Sequence, residues 1–299
     1  MRNIFGLIAI VGLAAGQTAT GPTLGYSVAA DGRSVRTIFG VPGASRMSAA
    51  VSLPDDLKML RLSPASSVGV AAAGDPAMPI VYDVMTGTRT VLDGARTSPG
   101  AVTWSALGTA FAVAYAESSW VQVYVANAGG YRLADEFAAD GRVAISDDGT
   151  AALVLSGGGL QLRNSDGLTS LADGAVAAFA FVAGGRTAVF QAADGLTIGS
   201  VKVANIVDGD DTVYLGSPAK DRVIAIRASG QTTVFDATGQ VLAADTCGAP
   251  AKGLEFIGRA GTLVSTSDNA AAPLCLADAG VNPRIYFVPP PADLTGADQ

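Results

Sequence analysis

One phrase recurs six times along this 299-residue chain, and it restricts the fold more than any other feature. A large apolar residue is followed by a few small, polar or turn-forming residues, and then by an apolar run of strand length. The copies begin at Leu62-Ser63-Pro64, Trp104-Ser105-Ala106-Leu107-Gly108, Ile145-Ser146-Asp147-Asp148-Gly149, Phe181-Val182-Ala183-Gly184-Gly185, Leu215-Gly216-Ser217-Pro218 and Phe256-Ile257-Gly258-Arg259-Ala260-Gly261. Their anchors lie 34 to 42 residues apart, the spacing of architectures built from stacked units of roughly 34 to 45 residues. A unit of that size cannot bury its apolar surface alone, so neighbouring copies must cover one another.

Each unit divides into four short strands. In the first they are Leu57 to Leu62, Ser67 to Ala73, Pro79 to Val84 and Arg89 to Asp93, with Met85-Thr86-Gly87 as a hairpin turn. The next repeats the plan with Ala101 to Ser105, Thr109 to Tyr115, Trp120 to Ala126 and Tyr131 to Phe137. Gly157-Gly158-Gly159 separates two strands of the third and reads as a hairpin turn, since no helix follows it as a phosphate loop requires. Beyond the first residues no window of ten or more positions keeps a helical apolar period, because Gly, Asp or Pro interrupts it. Four antiparallel strands per unit, stacked about an axis, make an all-β fold, the β-propeller. Six phrases leave the blade number open, because Tyr26 to Val35 matches Tyr82 to Val91 in turn and strand character. That hairpin looks like the second half of another blade. A ring of seven, closed by Arg284 to Val288 joining the N-terminal strands, is favoured over six with the hairpin as decoration.

The ends suggest an exported protein. Arg2 precedes an apolar stretch, Ile4 to Leu13, and small residues at Ala14 and Gly16 offer a cleavage site. The expected organisation is a leader over 1–16, one propeller over 22–291, and a disordered tail over 292–299 after Pro289-Pro290-Pro291. The apolar stretch is shorter than the ~20 residues needed to span a bilayer, although a single-pass anchor is the alternative reading. Removal of Arg2 leaves 26 acidic against 18 basic side chains, which argues against a nucleic-acid partner. Charged residues are 15% of the chain, 49% are hydrophobic, and 37 are glycine, a composition of short strands and tight turns. Cys247 and Cys275 fit one disulfide in an oxidising compartment. Two buried free thiols are the alternative.

Apolar-Ser-x-Asp-Gly turns such as Ile145 to Thr150 resemble those of TolB-like, YVTN-type and WD-repeat propellers. The segments Ile38-Phe39-Gly40-Val41-Pro42-Gly43-Ala44 and Pro283-Arg284-Ile285-Tyr286-Phe287-Val288-Pro289 look like those of exported propellers of soil bacteria of the acidobacterial type. The resemblance covers most of residues 22–291. It implies the fold and export but no activity, since such families bind peptides, proteins or sugars. The Trp-Asp dipeptide of WD repeats is missing from every unit.

Little in the chain points to catalysis. It contains no histidine, which removes the commonest general base and metal ligand together with Ser-His and Cys-His arrangements. No Gly-x-Ser-x-Gly elbow occurs. Asp208-Gly209-Asp210-Asp211 is the densest acidic stretch; oxygen ligands on a turn can hold Ca²⁺, while an acidic surface turn is the simpler reading because the spacing does not match a calcium loop. Asp147-Asp148 and Asp55-Asp56 read as surface turns whose side chains bond the local backbone, and Asp135 and Glu136 read as solvated. Ser146 to Thr150 is unlike a sialidase Asp-box, because Gly149 directly follows Asp148 and no tryptophan follows. Trp104 reads as a packing anchor between blades. Trp120 follows Glu117-Ser118-Ser119 and either packs under that loop or presents a flat apolar face to a glycan or peptide.

The expected function is a non-catalytic, monomeric exported propeller offering its loops to a protein or carbohydrate partner, with no cofactor. The rival is a hydrolase or lyase using carboxylates or Ca²⁺ at the axial tunnel. A structural module of an envelope assembly is a third reading.

Overall fold

The computed structural model describes residues 21–29, 32–64, 66–203, 213–247, 253–257, 262–266 and 273–289, with the backbone alone at 213, 253 and 262–266. The segments expected as a leader, 1–16, and a tail, 292–299, and the acidic run with Asp208, Asp210 and Asp211 lie outside the described residues.

Six blades span residues 57–91, 101–138, 142–173, 176–203, 213–246 and 253–288, each a four-stranded antiparallel meander. The strands fall where alternation and turn chemistry put them: Leu57–Leu62, Val68–Ala73, Met78–Asp83 and Arg89–Val91 in the first blade, and Ala101–Trp104, Ala110–Tyr115, Trp120–Asn127 and Gly130–Ala138 in the second. The triple glycine is a hairpin turn, with Ser156 opposite Gly159. Among the described residues no helix is long and apolar enough to cross a membrane.

Blades stack through small and β-branched side chains. Between the second and third, Ala110, Ala112, Val121 and Val123 pack on Val143, Ile145, Ala152 and Val154. Short side chains let neighbouring sheets approach closely while strand alternation feeds both faces of every blade. The innermost strands follow one another around the axis, each touching the next.

A seventh sheet sits where the ring closes, and it differs from the others. Thr23–Val28 pairs with Ser34–Val41, whose far edge is shared by two short strands, Ala44–Met47 and Val51–Ser52. It is therefore three strands deep. One face sets Val28 and Val35 against Leu57, Leu60 and Ile80 of the first blade. The other sets Ile38 and Met47 against Ile257, Leu276 and Val288 of the sixth.

This corrects two expectations. Arg284–Val288 does not join the N-terminal strands; it pairs along Leu274–Asp278 as the fourth strand of the sixth blade. Six complete four-stranded meanders are thus formed among the described residues, and the favoured seven-blade count with a shared closing blade is not supported. Nor is the N-terminal hairpin the outer half of a blade or a decoration, because Thr23–Val28 is innermost, touching both Leu57–Leu62 and Gly253–Ile257. The physical reason is the alternation along this hairpin, which supplies apolar side chains to both neighbours at once.

The two cysteines form a disulfide, with Cα atoms 5.7 Å apart. Cys247 follows the fourth strand of the fifth blade and Cys275 lies on the third strand of the sixth, so the bond ties these blades together.

Candidate functional site at the axial mouth

The sixfold phrase is the turn between the first and second strands of each blade. In four copies the residue after the aligned anchor is a buried serine: Ser63, Ser105, Ser146 and, after Gly216 in the fifth blade, Ser217. The backbone N–H of Ser63, Ser105, Ser146 and Val182 donates to the carbonyl five residues on, at Val68, Ala110, Ala151 and Thr187. Gly149 takes a left-handed conformation, φ 69°, and a Cβ there would come within 2.3 Å of Val125 of the preceding blade. The Asp-Gly sequence of this turn is therefore demanded both by its own backbone and by its neighbour.

Cross-strand register aligns the copies. Leu62, Trp104, Ile145, Phe181 and Phe256 face Gly69, Phe111, Ala152, Ala188 and Leu263. In the fifth blade the matching residue is Gly216, opposite Ile224, because a register shift lies between Gly216 and Ala219. The anchor read from the sequence as Leu215 is thus displaced by one, since a bulge is invisible to a pattern of residue types. The residues preceding the anchors then form their own row: Arg61, Thr103, Ala144, Ala180, Leu215 and Glu255. All six line one axial cavity of about 230 Å³.

The anchors face this cavity as well. Leu62, Trp104, Ile145, Phe181 and Phe256 contribute to its wall, so they are mouth residues in addition to packing residues. Trp104 does both, packing its ring at a tilt against Phe111 with centroids 4.7 Å apart and donating its indole N–H to the Arg61 carbonyl of the neighbouring blade at 2.9 Å.

Within this row only Arg61 and Glu255 carry charge, and they are of opposite sign. They stand on the two blades that flank the N-terminal sheet. Glu255 is enclosed by protein while keeping some solvent contact through the cavity. Its Oε2 accepts the Ser27 hydroxyl and the Val28 backbone N–H, each at 3.2 Å. Burial pushes its carboxyl up to about 7, against the opposing pull of the Val28 N–H, the Arg61 charge and the Ser27 hydroxyl. Neither residue belongs to a motif; the signal that finds them is the charge difference between aligned copies.

The turns around the mouth are stapled by acids. Asp147 and Asp148, expected as a plain surface turn, instead bridge three blades. Asp147 accepts the Leu107 N–H at 2.7 Å and the Gly184 N–H at 2.6 Å. Asp148 accepts the Ser146 hydroxyl and the Thr150 N–H and hydroxyl, and pairs with Arg186 of the next blade at 2.8 Å. Burial raises the Asp148 carboxyl, but these bonds outweigh it and hold the group well below the usual carboxylate range.

Trp120 lies at the opposite end of its blade, facing Tyr115 across the strand pair. It is half-buried, with the Arg96 guanidinium 4.6 Å from the ring centroid and Glu136 beside the indole N–H. Glu136 also accepts from buried Gln122 at 3.0 Å, and Asp135 pairs with Arg163 of the next blade; neither acid is simply solvated. Asp56 is likewise engaged, by Arg89. A second depression, about 510 Å³ between the third and fourth blades, is lined by the Lys202–Asp194 ion pair and by Asp173, which accepts from the Ser170 hydroxyl.

No family model matches the chain. No curated protein matches it either. Among solved structures it is similar to the crystal structure of Kluyvelomyces marxianus Hsv2, at 10% identity and a TM-score of 0.51, over 87% of this chain and 93% of that one. At that identity the likeness concerns the fold alone. The fold is that of a β-propeller.

Proposed function

We propose that this propeller is a non-catalytic binding or scaffold module, exported to the periplasm or medium, that engages a protein or carbohydrate partner through the turns and side chains of its axial mouth. The observation that carries the reading is the row Arg61, Thr103, Ala144, Ala180, Leu215 and Glu255, in which apolar or small residues surround a single carboxylate and a single guanidinium. Glycoside hydrolysis canonically uses two carboxyl groups flanking the scissile bond, and among its described lining this mouth supplies one, Glu255. Among the described residues, no three of His, Cys, Asp and Glu stand together as metal ligands, which lends the hydrolase, lyase or Ca²⁺ alternative no support.

Export draws support from the Arg2 to Gly16 segment and from the Cys247–Cys275 disulfide, a bond at home in oxidising compartments. The finer relationship, to exported TolB-like or YVTN-type propellers of bacteria, rests on the phrase itself. Trp120, away from the mouth, and the acidic run Asp208, Asp210 and Asp211 are further proposed contacts. Cross-linking capture of the tagged protein from its own envelope and medium tests the reading. A partner recovered reproducibly is expected; recovery of none counts against it.

A further inference from the structure

The aligned copies differ most at the position that faces the axis, and there two opposite charges stand on either side of the closing strand. Arg61 and Glu255 form no salt bridge among the described residues, although the Arg61 charge is felt at Glu255. The two are thus wider apart than an ion pair. Glu255 is braced from behind, since both of its hydrogen bonds, from Ser27 and Val28, fall on Oε2. A carboxylate largely enclosed by protein is costly unless a cation or donor meets it.

Much of the remaining wall is apolar and partly aromatic, with Trp104, Ile145, Phe179, Phe181 and Phe256, and Thr103 adds a hydroxyl. The cavity, at about 230 Å³, is smaller than the ~300–1,000 Å³ of sites for drug-sized ligands. A ligand that satisfies all of this carries an ammonium, a carboxylate and a compact apolar body. We propose that the seat between Arg61 and Glu255 binds a free α-amino acid with an apolar side chain, its ammonium on Glu255, its carboxylate on Arg61 and its side chain among the anchors. This goes beyond partner binding, since it assigns the axis to a small zwitterion.

The test uses the two tryptophans of the chain as reporters. Trp104 lines the cavity and bonds the Arg61 carbonyl, while Trp120 lies at the other end of the blade. In ¹⁵N-tryptophan-labelled protein, with the two indole signals assigned through Trp120→Phe, titration with L-leucine should move the Trp104 signal and leave that of Trp120 in place. N-acetyl-leucine, which lacks the ammonium, and isoamylamine, which lacks the carboxylate, should each bind at least about tenfold more weakly, the loss expected for one charged hydrogen-bonded contact. Glu255→Gln should weaken leucine by a similar factor. Isoamylamine binding as tightly as leucine would overturn the proposal, as would an unmoved Trp104 signal at about 10 mM leucine, a concentration that detects even millimolar affinity. Should Glu255→Gln fail to fold, the ligand series on the unaltered protein decides. Capture of a partner by a protein that ignores leucine would remove this proposal and leave the partner reading standing.

Discussion

The carboxylate of Asp147 reaches out of its own blade to accept the backbone N–H of Gly184 at 2.6 Å, while its other oxygen holds Leu107 on the opposite side. One turn residue thus links the second, third and fourth blades at the axial mouth. Blades that share no strand and no covalent bond beyond the chain are held in relative position by such contacts. Asp147→Ala should destabilise the protein by about 2 kcal/mol, since it frees two backbone donors from a charged acceptor. Urea unfolding should show a lower midpoint with an unchanged slope. An unaltered midpoint would mean that the bonds add nothing over water.

Asp148, the next residue in the same turn, governs the acid limb. Its pKa is depressed in the folded state, so its contribution is present above the ordinary carboxylate range, near 3.8, and is lost as pH falls through its lower folded value. Asp148→Asn should therefore flatten the fall in melting temperature below about pH 4. The same acid limb in variant and parent would contradict the assignment.

Glu255 acts in the opposite sense. Its folded pKa is raised from 4.5 to about 7, so the native state binds more protons than the unfolded chain between these values. Its contribution is complete below pH 4.5 and is lost as pH rises through about 7. Melting temperatures measured from pH 4.5 to 8 should decline, and Glu255→Gln should remove that part of the decline while keeping an acceptor for Ser27 and Val28. A steeper decline in the variant would reverse the sign of the account.

The disulfide closes a separation of 28 residues, and in the chain-entropy model it should stabilise the fold by about 3–4 kcal/mol. Reduction, or Cys247→Ser with Cys275→Ser, should lower the unfolding midpoint accordingly. Both cysteine sulfurs are buried, so reduction should be slow in native protein and fast in denaturant. Mass spectrometry of exported protein that finds both thiols free would overturn the bond.

How much of this was readable from residue types follows from the range of each interaction. Strand positions in the first two blades, the hairpin at Gly157 to Gly159 and the Cys247–Cys275 pairing depend on local alternation, turn chemistry and cysteine count, and all were legible. Ring closure was not, because whether Arg284–Val288 pairs with the N-terminal strands or with Leu274–Asp278 is a choice between two long-range partners of similar composition. Asp147 looked like any turn acid, since its partners Leu107 and Gly184 are backbone groups some forty residues away in each direction. Arg61 and Glu255 escape a reading of residue types for a related reason: a lone charge beside an apolar anchor has no motif, and only the cross-strand register reveals that both occupy the same position of the repeat. The register also moved the fifth anchor from Leu215 to Gly216.

The central claim, that recognition is located at the axial mouth, is tested most directly by site-specific photo-cross-linking in the native envelope. A photoreactive residue in place of Thr103, which lines the mouth, is compared with one in place of Thr90 on the exposed outer strand of the first blade. A discrete adduct from position 103 and none from position 90 is the predicted result. Adducts from position 90 alone would contradict it and place recognition on the rim.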